Sequence, residues 1–367
     1  MNPDVVQFSR GVPPIEAIPA RELAEHTEAA VAELGPRLFQ YPPIGRYLGD
    51  PTLREQLAKR HDADPDHILV TNGSLQALDL LAAHLLSGSG AAVYVEGPTY
   101  DRAARIFERH GGRVSSIPLE ADGMDLADLR ERLRAEVPAF VYTVPDFQNP
   151  SGVTLSLAKR GELLGLAAEY GFTVIEDIPY RDLRFHGETL PSLSELAEGA
   201  RVITLGSLSK VLSPGLRIGY VISDADTALE LATRSEGVYL SPVGLCQAVA
   251  ARALGSGLVT ENVERARDFL RPRHDAAVRS VQSSLGDALM AVPDGGYYVG
   301  VRVKTGSDPD AFLDRALGAG VKLISGSAFY PSTEKSTVDT MFLRLPFQAM
   351  TPEEFSTGVE RLAASLS

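Results

Sequence analysis

The sequence predicts an α/β protein: a large domain with a mainly parallel sheet sandwiched by helices, followed by a smaller α+β domain. Three observations carry this. Short apolar runs alternate with helix-period segments of about 10–15 residues through the middle of the chain, the pattern of repeated βαβ units. From about residue 250 the alternation gives way to long amphipathic stretches flanking isolated strand candidates. The chain has 367 residues, 44% of them hydrophobic and 23% charged, enough for about two domains with real cores. A disordered chain, a collagen-like repeat and a small disulfide scaffold are thereby excluded.

The first 40 residues, with Pro13, Pro14 and Pro19, read as an arm plus one helix packing with the small domain. The large domain is expected over 41–250 and the small one over 251–367. Leucines at 75, 78, 81 and 85 share one helical face, with Ser74 placed as the N-cap. Ala91–Val95 reads as a buried strand ended by Glu96-Gly97-Pro98, followed by a helix over Thr99–His110 and a strand over Arg113–Ile117. The cycle repeats with a helix at Leu126–Arg134, a strand at Phe140–Val144, a helix at Leu155–Tyr170 and a strand at Phe172–Ile175. Val202–Leu205 and Ile218–Ile222 supply two more strands. In the small domain, amphipathic stretches at Val263–Leu285, Asp308–Ala319 and Pro352–Leu366 flank strands at Tyr297–Val303 and Met341–Leu345.

Thirty-five basic against 48 acidic residues leave a formal charge of −13, which argues against a nucleic-acid partner. The N-terminus has neither a basic region nor an apolar stretch, and no apolar run is long enough for a membrane span. Cys246 is the one cysteine, read as a small buried residue and incapable of an internal disulfide, so a cytoplasmic protein is expected. No metal ligands are assigned.

In parallel sheets ligands bind beyond the carboxyl ends of the strands, so chemistry is sought just after each apolar run. Thr71-Asn72-Gly73-Ser74 opens the Leu75 helix, where free N–H groups suit an anion or simply a turn and cap. Val144 to Gly152 forms a proline-stiffened loop around Asn149, an amide with both a donor and an acceptor. Val174-Ile175-Glu176-Asp177 ends a buried strand in two carboxylates. Such groups are costly unless one meets a cation or a structural ion pair holds them. Gly206-Ser207-Leu208-Ser209-Lys210 continues to Pro214-Gly215-Leu216-Arg217. A lysine desolvated there becomes a nucleophile toward carbonyls, while the hydroxyls and Arg217 suit a phosphate.

Together, and in this order, these segments resemble the fold-type-I pyridoxal-phosphate enzymes, specifically the class I/II aminotransferases. The stretch Gly206 to Tyr220 is similar to that family's cofactor-lysine signature, and Asn149-Pro150-Ser151-Gly152 and Glu176-Asp177-Ile178-Pro179-Tyr180 match two other landmarks. The resemblance spans essentially the whole chain and is greatest to the branch with 2-aminoadipate and kynurenine aminotransferases and regulator-type aminotransferase domains. It implies pyridoxal 5′-phosphate as cofactor and ping-pong transfer of the amino group of an L-amino acid to a 2-oxo acid. It further implies that Lys210 holds the cofactor as an aldimine and then carries protons. Asp177 would pair with the ring nitrogen, Asn149 and Tyr180 would bond the ring hydroxyl, and Tyr100 would stack on the ring. Gly73, Ser74, the Leu75 backbone, Ser207, Ser209 and Arg217 would cradle the phosphate. Arg344 would fork onto the substrate α-carboxylate, Gly11 would belong to an arm over the substrate, and Tyr41 would reach the phosphate of the other subunit of a homodimer.

Leu75 stands where relatives often have glutamine, and Pro346 where many have asparagine. Tyr239, Tyr297 and Tyr298 fall in segments that shape the substrate pocket of relatives or serve as core aromatics. A lyase, replacement, cyclising or oxidising reaction on the same cofactor is the alternative activity. A purely ligand-sensing module is disfavoured, because no helix-turn-helix precedes the domain and the catalytic set is complete.

Overall fold

The computed structural model describes residues 5–9, 11–43, 45, 47–88, 90–306, 308–334 and 340–366. The reading of the N-terminus as free of a leader rests partly on Met1–Asp4, outside the described residues. A short strand β1 (Val6–Gln7) and helices α1 (Ala20–Leu34) and α2 (Pro51–His61) come first. Asp50 starts α2 by accepting the Leu53 N–H, and Pro51 loses nothing at a position with no intrahelical donor to give.

An eight-stranded sheet forms the centre. Its strands are β2 (Ile68–Thr71), β3 (Ala92–Gly97), β4 (Arg113–Glu120), β5 (Gly123–Met124), β6 (Phe140–Thr143), β7 (Thr173–Asp177), β8 (Arg201–Ser207) and β9 (Gly219–Ile222). Their spatial order is β2-β9-β8-β7-β6-β3-β4-β5. The run from β8 through β7, β6 and β3 to β4 is parallel, while β9, β2 and β5 pair antiparallel at the two ends. Helices α3 (Ser74–Leu85), α4 (Asp101–Arg109), α5 (Leu126–Ala135) and α6 (Leu157–Tyr170) fall between the strands. Every residue of β6 and β7 is buried, as expected for strands covered on both faces. The ring of Phe107 on α4 meets Phe140 and Tyr142 of β6 edge-on, at 4.9 and 5.4 Å between centroids. Burying each such ring contributes about 1.5–3 kcal/mol.

After the sheet come α7 (Ala225–Tyr239), α8 (Gly244–Gly255) and α9 (Leu258–Leu285), then β10 (Tyr298–Lys304), α10 (Pro309–Gly318), β11 (Val321–Lys322), β12 (Thr340–Pro346) and α11 (Pro352–Ser365). β10 and β12 form an antiparallel ribbon, and β1 pairs in parallel with β11, carrying the N-terminal arm onto this part of the chain. Phe8 pins the arm there, its ring edge-on to Phe355 of α11 at 5.2 Å. α1 packs on α8, and α9 packs on α11. Among the described residues no helix is long and apolar enough to cross a membrane.

Several sequence expectations need correction. Gly73, not Ser74, is the N-cap of α3, and Ser74 is the first helical residue. A β-carbon at position 73 would fall 2.1 Å from Arg217 Nη2, and φ there is +87°, so glycine is required. Tyr100 caps α4, which begins at Asp101 rather than Thr99. The long helix begins at Leu258 rather than Val263 and continues through Pro272. Cys246 is only partly buried, at the edge of a core cluster.

Candidate active site

The carboxyl ends of β3, β6, β7 and β8 open into one cavity of about 590 Å³, which is also lined by Ser9, Gly11 and Val12 of the N-terminal arm, Tyr298 of β10 and Arg344 of β12. Eight predicted residues line it: Gly11, Ser74, Tyr100, Asn149, Asp177, Tyr180, Lys210 and Arg344.

Asp177 ends β7 at its floor. One carboxylate oxygen, Oδ2, accepts the Tyr142 hydroxyl at 2.9 Å, whereas Oδ1 is buried with no hydrogen-bond partner. Burial raises its pKa to about 7, against the opposing effects of the Tyr142 hydrogen bond and the Lys210 charge. Neighbouring Glu176 points to the opposite face of the strand, as alternation requires. It is satisfied there by the backbone N–H groups of Leu193 and Ser194 and by the Thr204 hydroxyl. Of the two strand-end carboxylates, only Asp177 is left for a ligand.

Lys210 follows β8. Its Nζ donates to the Gly11 carbonyl at 3.0 Å and lies 5.8 and 5.5 Å from the ring centres of Tyr180 and Tyr297. Burial, aided by the charges of Arg344 and Arg217, lowers its pKa to about 8, and Asp177 opposes the shift. About a tenth of the amine is thus uncharged at pH 7, far more than for an ordinary lysine, and the uncharged form is the one that attacks a carbonyl.

Arg344 lies in β12 and is buried. Its Nη1 donates to Asn149 Oδ1 and its Nη2 to the Ser9 carbonyl, each at 3.0 Å, while Nε has no partner. The guanidinium sits between the rings of Tyr298 and Phe329, at 5.1 and 4.9 Å. Its partners are neutral, so its charge is uncompensated until an anion arrives. With Oδ1 of Asn149 taken, the amide's NH₂ is the side left to the cavity. The Tyr180 and Tyr298 hydroxyls lie 3.1 Å apart, and burial raises the pKa of both.

Beside the cavity the N-terminus of α3 meets the loop after β8. Ser207 and Ser209 hydroxyls are joined at 2.9 Å, and Arg217 Nη2 reaches the Asn72 carbonyl at 3.3 Å. Gly219 permits this approach, since a β-carbon there would fall 2.3 Å from the Ser74 nitrogen. Leu75 directs its side chain toward the core, leaving its N–H in the first turn. The cluster of Gly73, Ser74, Ser207, Ser209 and Arg217 is cationic and N–H-rich, a setting with the chemistry to hold an anion such as a phosphate.

Tyr41 is elsewhere. It is 73% exposed and lines a separate groove with Tyr47 and Leu240, as does Tyr239. Tyr297 is buried and donates through its hydroxyl to the Lys210 carbonyl at 3.4 Å. Tyr298, read from the sequence as a pocket or core aromatic, lines the cavity, whereas sequence reasoning assigned no role to Tyr142 or Ser9. Tyr142 was readable only as part of an apolar strand, although its two-residue spacing to Val144 places both on the cavity side.

A carboxyl oxygen awaiting a donor, a buried amine of lowered pKa and a phosphate cradle together fit pyridoxal phosphate. Comparison with known proteins agrees. Residues 3–362 match the family of class I and II aminotransferases. The chain is 32% identical to aromatic-amino-acid aminotransferase 1 of Thermococcus litoralis, over 99% of this chain and 88% of that protein. It superposes with a TM-score of 0.90 on the α-aminoadipate aminotransferase of Thermus thermophilus complexed with N-(5′-phosphopyridoxyl)-L-leucine, at 33% identity, covering 99% and 92% of the two chains. Kynurenine aminotransferase of Pyrococcus horikoshii gives the same TM-score at 31% identity, covering 100% and 91%. The chain belongs to the class I and II aminotransferases, enzymes of fold type I that use pyridoxal 5′-phosphate.

Proposed function

We propose that this transaminase works through Lys210, Asp177 and Arg344 around one cavity, on L-amino acids bound by their α-carboxylate. The observation that carries the reading is that two unsatisfied buried charged groups, Asp177 Oδ1 and Arg344 Nε, line the same cavity as the Lys210 amine. Bound pyridoxal phosphate supplies a carbonyl that exchanges for an amine and a ring that withdraws electrons. Asp177 Oδ1 would accept the ring N–H, and a positive charge there would keep the carboxylate ionised. Asn149 and Tyr180 would donate to the ring hydroxyl, Tyr100 would cover one ring face, and Gly73, Ser74, the Leu75 N–H, Ser207, Ser209 and Arg217 would hold the phosphate.

Arg344 fixes the substrate carboxylate and with it the direction of the Cα–H bond. Lys210 Nζ would take the proton from Cα and return it across the amino nitrogen to the former carbonyl carbon, a role that its lowered pKa suits. Ser9 and Gly11, bonded to Arg344 and Lys210 through their carbonyls, close the arm over the substrate and exclude water.

The division at residues 40 and 250 and a cytoplasmic location belong to the same reading. So does a homodimer: Phe39, Tyr41, Leu240 and Val243 are all about half or more exposed around one groove, and a second copy covering it would bring Tyr41 to the other subunit's phosphate. The named relatives suggest leucine, phenylalanine, kynurenine and 2-aminoadipate as first donors to try. Holoenzyme mixed with each, without an oxo acid, is followed by mass spectrometry. Stoichiometric pyridoxamine phosphate with the matching oxo acid is expected. Loss of a side-chain group with pyridoxal phosphate regenerated would move the assignment to the lyase or replacement class.

A further inference from the structure

His186, in the segment after β7, and His274 and Asp275, in α9, come together away from the cavity. Asp275 Oδ1 lies 2.7 Å from His186 Nε2 and 2.9 Å from His274 Nδ1, and the three donor atoms are within 4.8 Å of one another. His274 is 2% exposed, with its ring packed against Phe185 and Phe347. Its Nε2 lies 2.6 Å from the Pro293 carbonyl, which can only accept. That bond places a proton on Nε2. A neutral ring therefore aims the Nδ1 lone pair at a carboxylate oxygen, so a cation has to stand between them. A histidine that gives its far N–H to a backbone carbonyl is oriented as a metal ligand.

We propose that His186 Nε2, His274 Nδ1 and Asp275 form a site for one late first-row divalent cation, Zn²⁺ by preference. Two imidazoles and a carboxylate suit that ion, and water completes the tetrahedron on the side where His186 is 46% exposed. Bonds of about 2.0–2.1 Å set the donors roughly 3.3 Å apart. The two contacts to Asp275 must open by about half an ångström, which the half-exposed His186 and the one-third-exposed Asp275 side chains permit while His274 stays fixed. Segment 183–187 is already bridged to Gly295 through Arg184, just before Tyr297 and Tyr298. The ion therefore staples α9 to the segment that leads into the active-site tyrosines.

The test uses tag-free holoenzyme freed of metals by chelation and titrated with Co²⁺, whose visible absorption reports a tetrahedral nitrogen–oxygen site. One Co²⁺ per chain is expected, displaced by Zn²⁺. His186→Ala and Asp275→Asn should each weaken binding at least ~10-fold and leave the transamination half-reaction unchanged. Zn²⁺ should raise the melting temperature of the native chain but not of His186→Ala. Absence of stoichiometric binding, or binding that His186→Ala leaves intact, overturns the proposal. So does a ¹⁵N spectrum in which both His274 nitrogens carry protons at saturating Zn²⁺, because the cation would then be a proton.

Discussion

Two neighbouring regions of the molecule bury polar groups, and they treat them differently. Beneath the Asn149 loop, Arg160 is fully buried yet bonded to Asp146 and to the Leu155, Pro145 and Pro191 carbonyls. Glu96 accepts the Thr143 hydroxyl, the Val144 N–H and the Gln148 amide, and Glu176 is held by three donors of its own. Across the cavity wall, Asp177 Oδ1 and Arg344 Nε have none. Titration does not separate the regions, since burial brings Glu96 and Asp177 alike to about 7. The hydrogen bonds of these carboxylates and of the Arg160 and Arg344 guanidinium groups do, although the Thr99 and Thr154 hydroxyls beside the first region are also buried without a partner. A buried group left unpaired costs about 1–3 kcal/mol, a cost that only a ligand removes here. On the proposed reading the first region is scaffold, and the second is kept for the cofactor and substrate.

The largest effect that sharpens this contrast is expected at the amine. Lys210→Ala should slow the half-reaction by about 10²–10⁴-fold or more, measured by single-turnover absorbance. A rate within threefold of the native enzyme would show that the proton is moved by another group. A smaller effect is expected at Arg344. Arg344→Gln removes a charge-assisted fork worth roughly 1.5–3 kcal/mol, so kcat/KM for the amino donor should fall about 10–100-fold. Amines without a carboxylate should be affected far less. An equal loss for both would mean that Arg344 only supports Asn149.

Much of this contrast was legible in the sequence. Parallel strands announce themselves as short apolar runs, and chemistry at their ends led to Lys210, Asp177, Asn149 and Arg217. Less legible was whatever depends on distant partners. That Glu176 is scaffold and Asp177 is not depends on Leu193, Ser194 and Thr204, none of which carries a motif. Tyr142 reads as a strand residue, and its bond to Asp177 spans 35 positions. The alternation read from sequence starts at Leu75 and passes over α2 and β2, although Asp50-Pro51 is a helix-start signal. α7 and α8 were also passed over, each lying where the βαβ alternation has already ended. His186 and Asp275 are 89 residues apart and leave no spacing to read.

The most direct measurement sets Asp177→Asn beside Glu176→Gln in cofactor-stripped protein, with unfolding free energy followed from pH 4 to pH 8. In the native chain Asp177 holds a proton up to about pH 7, whereas the unfolded chain releases it near 3.9. The folded state therefore binds more protons in that window, and this carboxyl makes stability fall as pH rises through it. Asparagine removes the fall, so Asp177→Asn should match the native chain near pH 4 and exceed it by roughly 2–4 kcal/mol at pH 8, while binding pyridoxal phosphate more weakly. Glu176→Gln sets an amide donor against donors and should cost about 1–3 kcal/mol. If both variants are destabilised alike at pH 8, Asp177 is scaffold like its neighbour, and the division between the two regions fails.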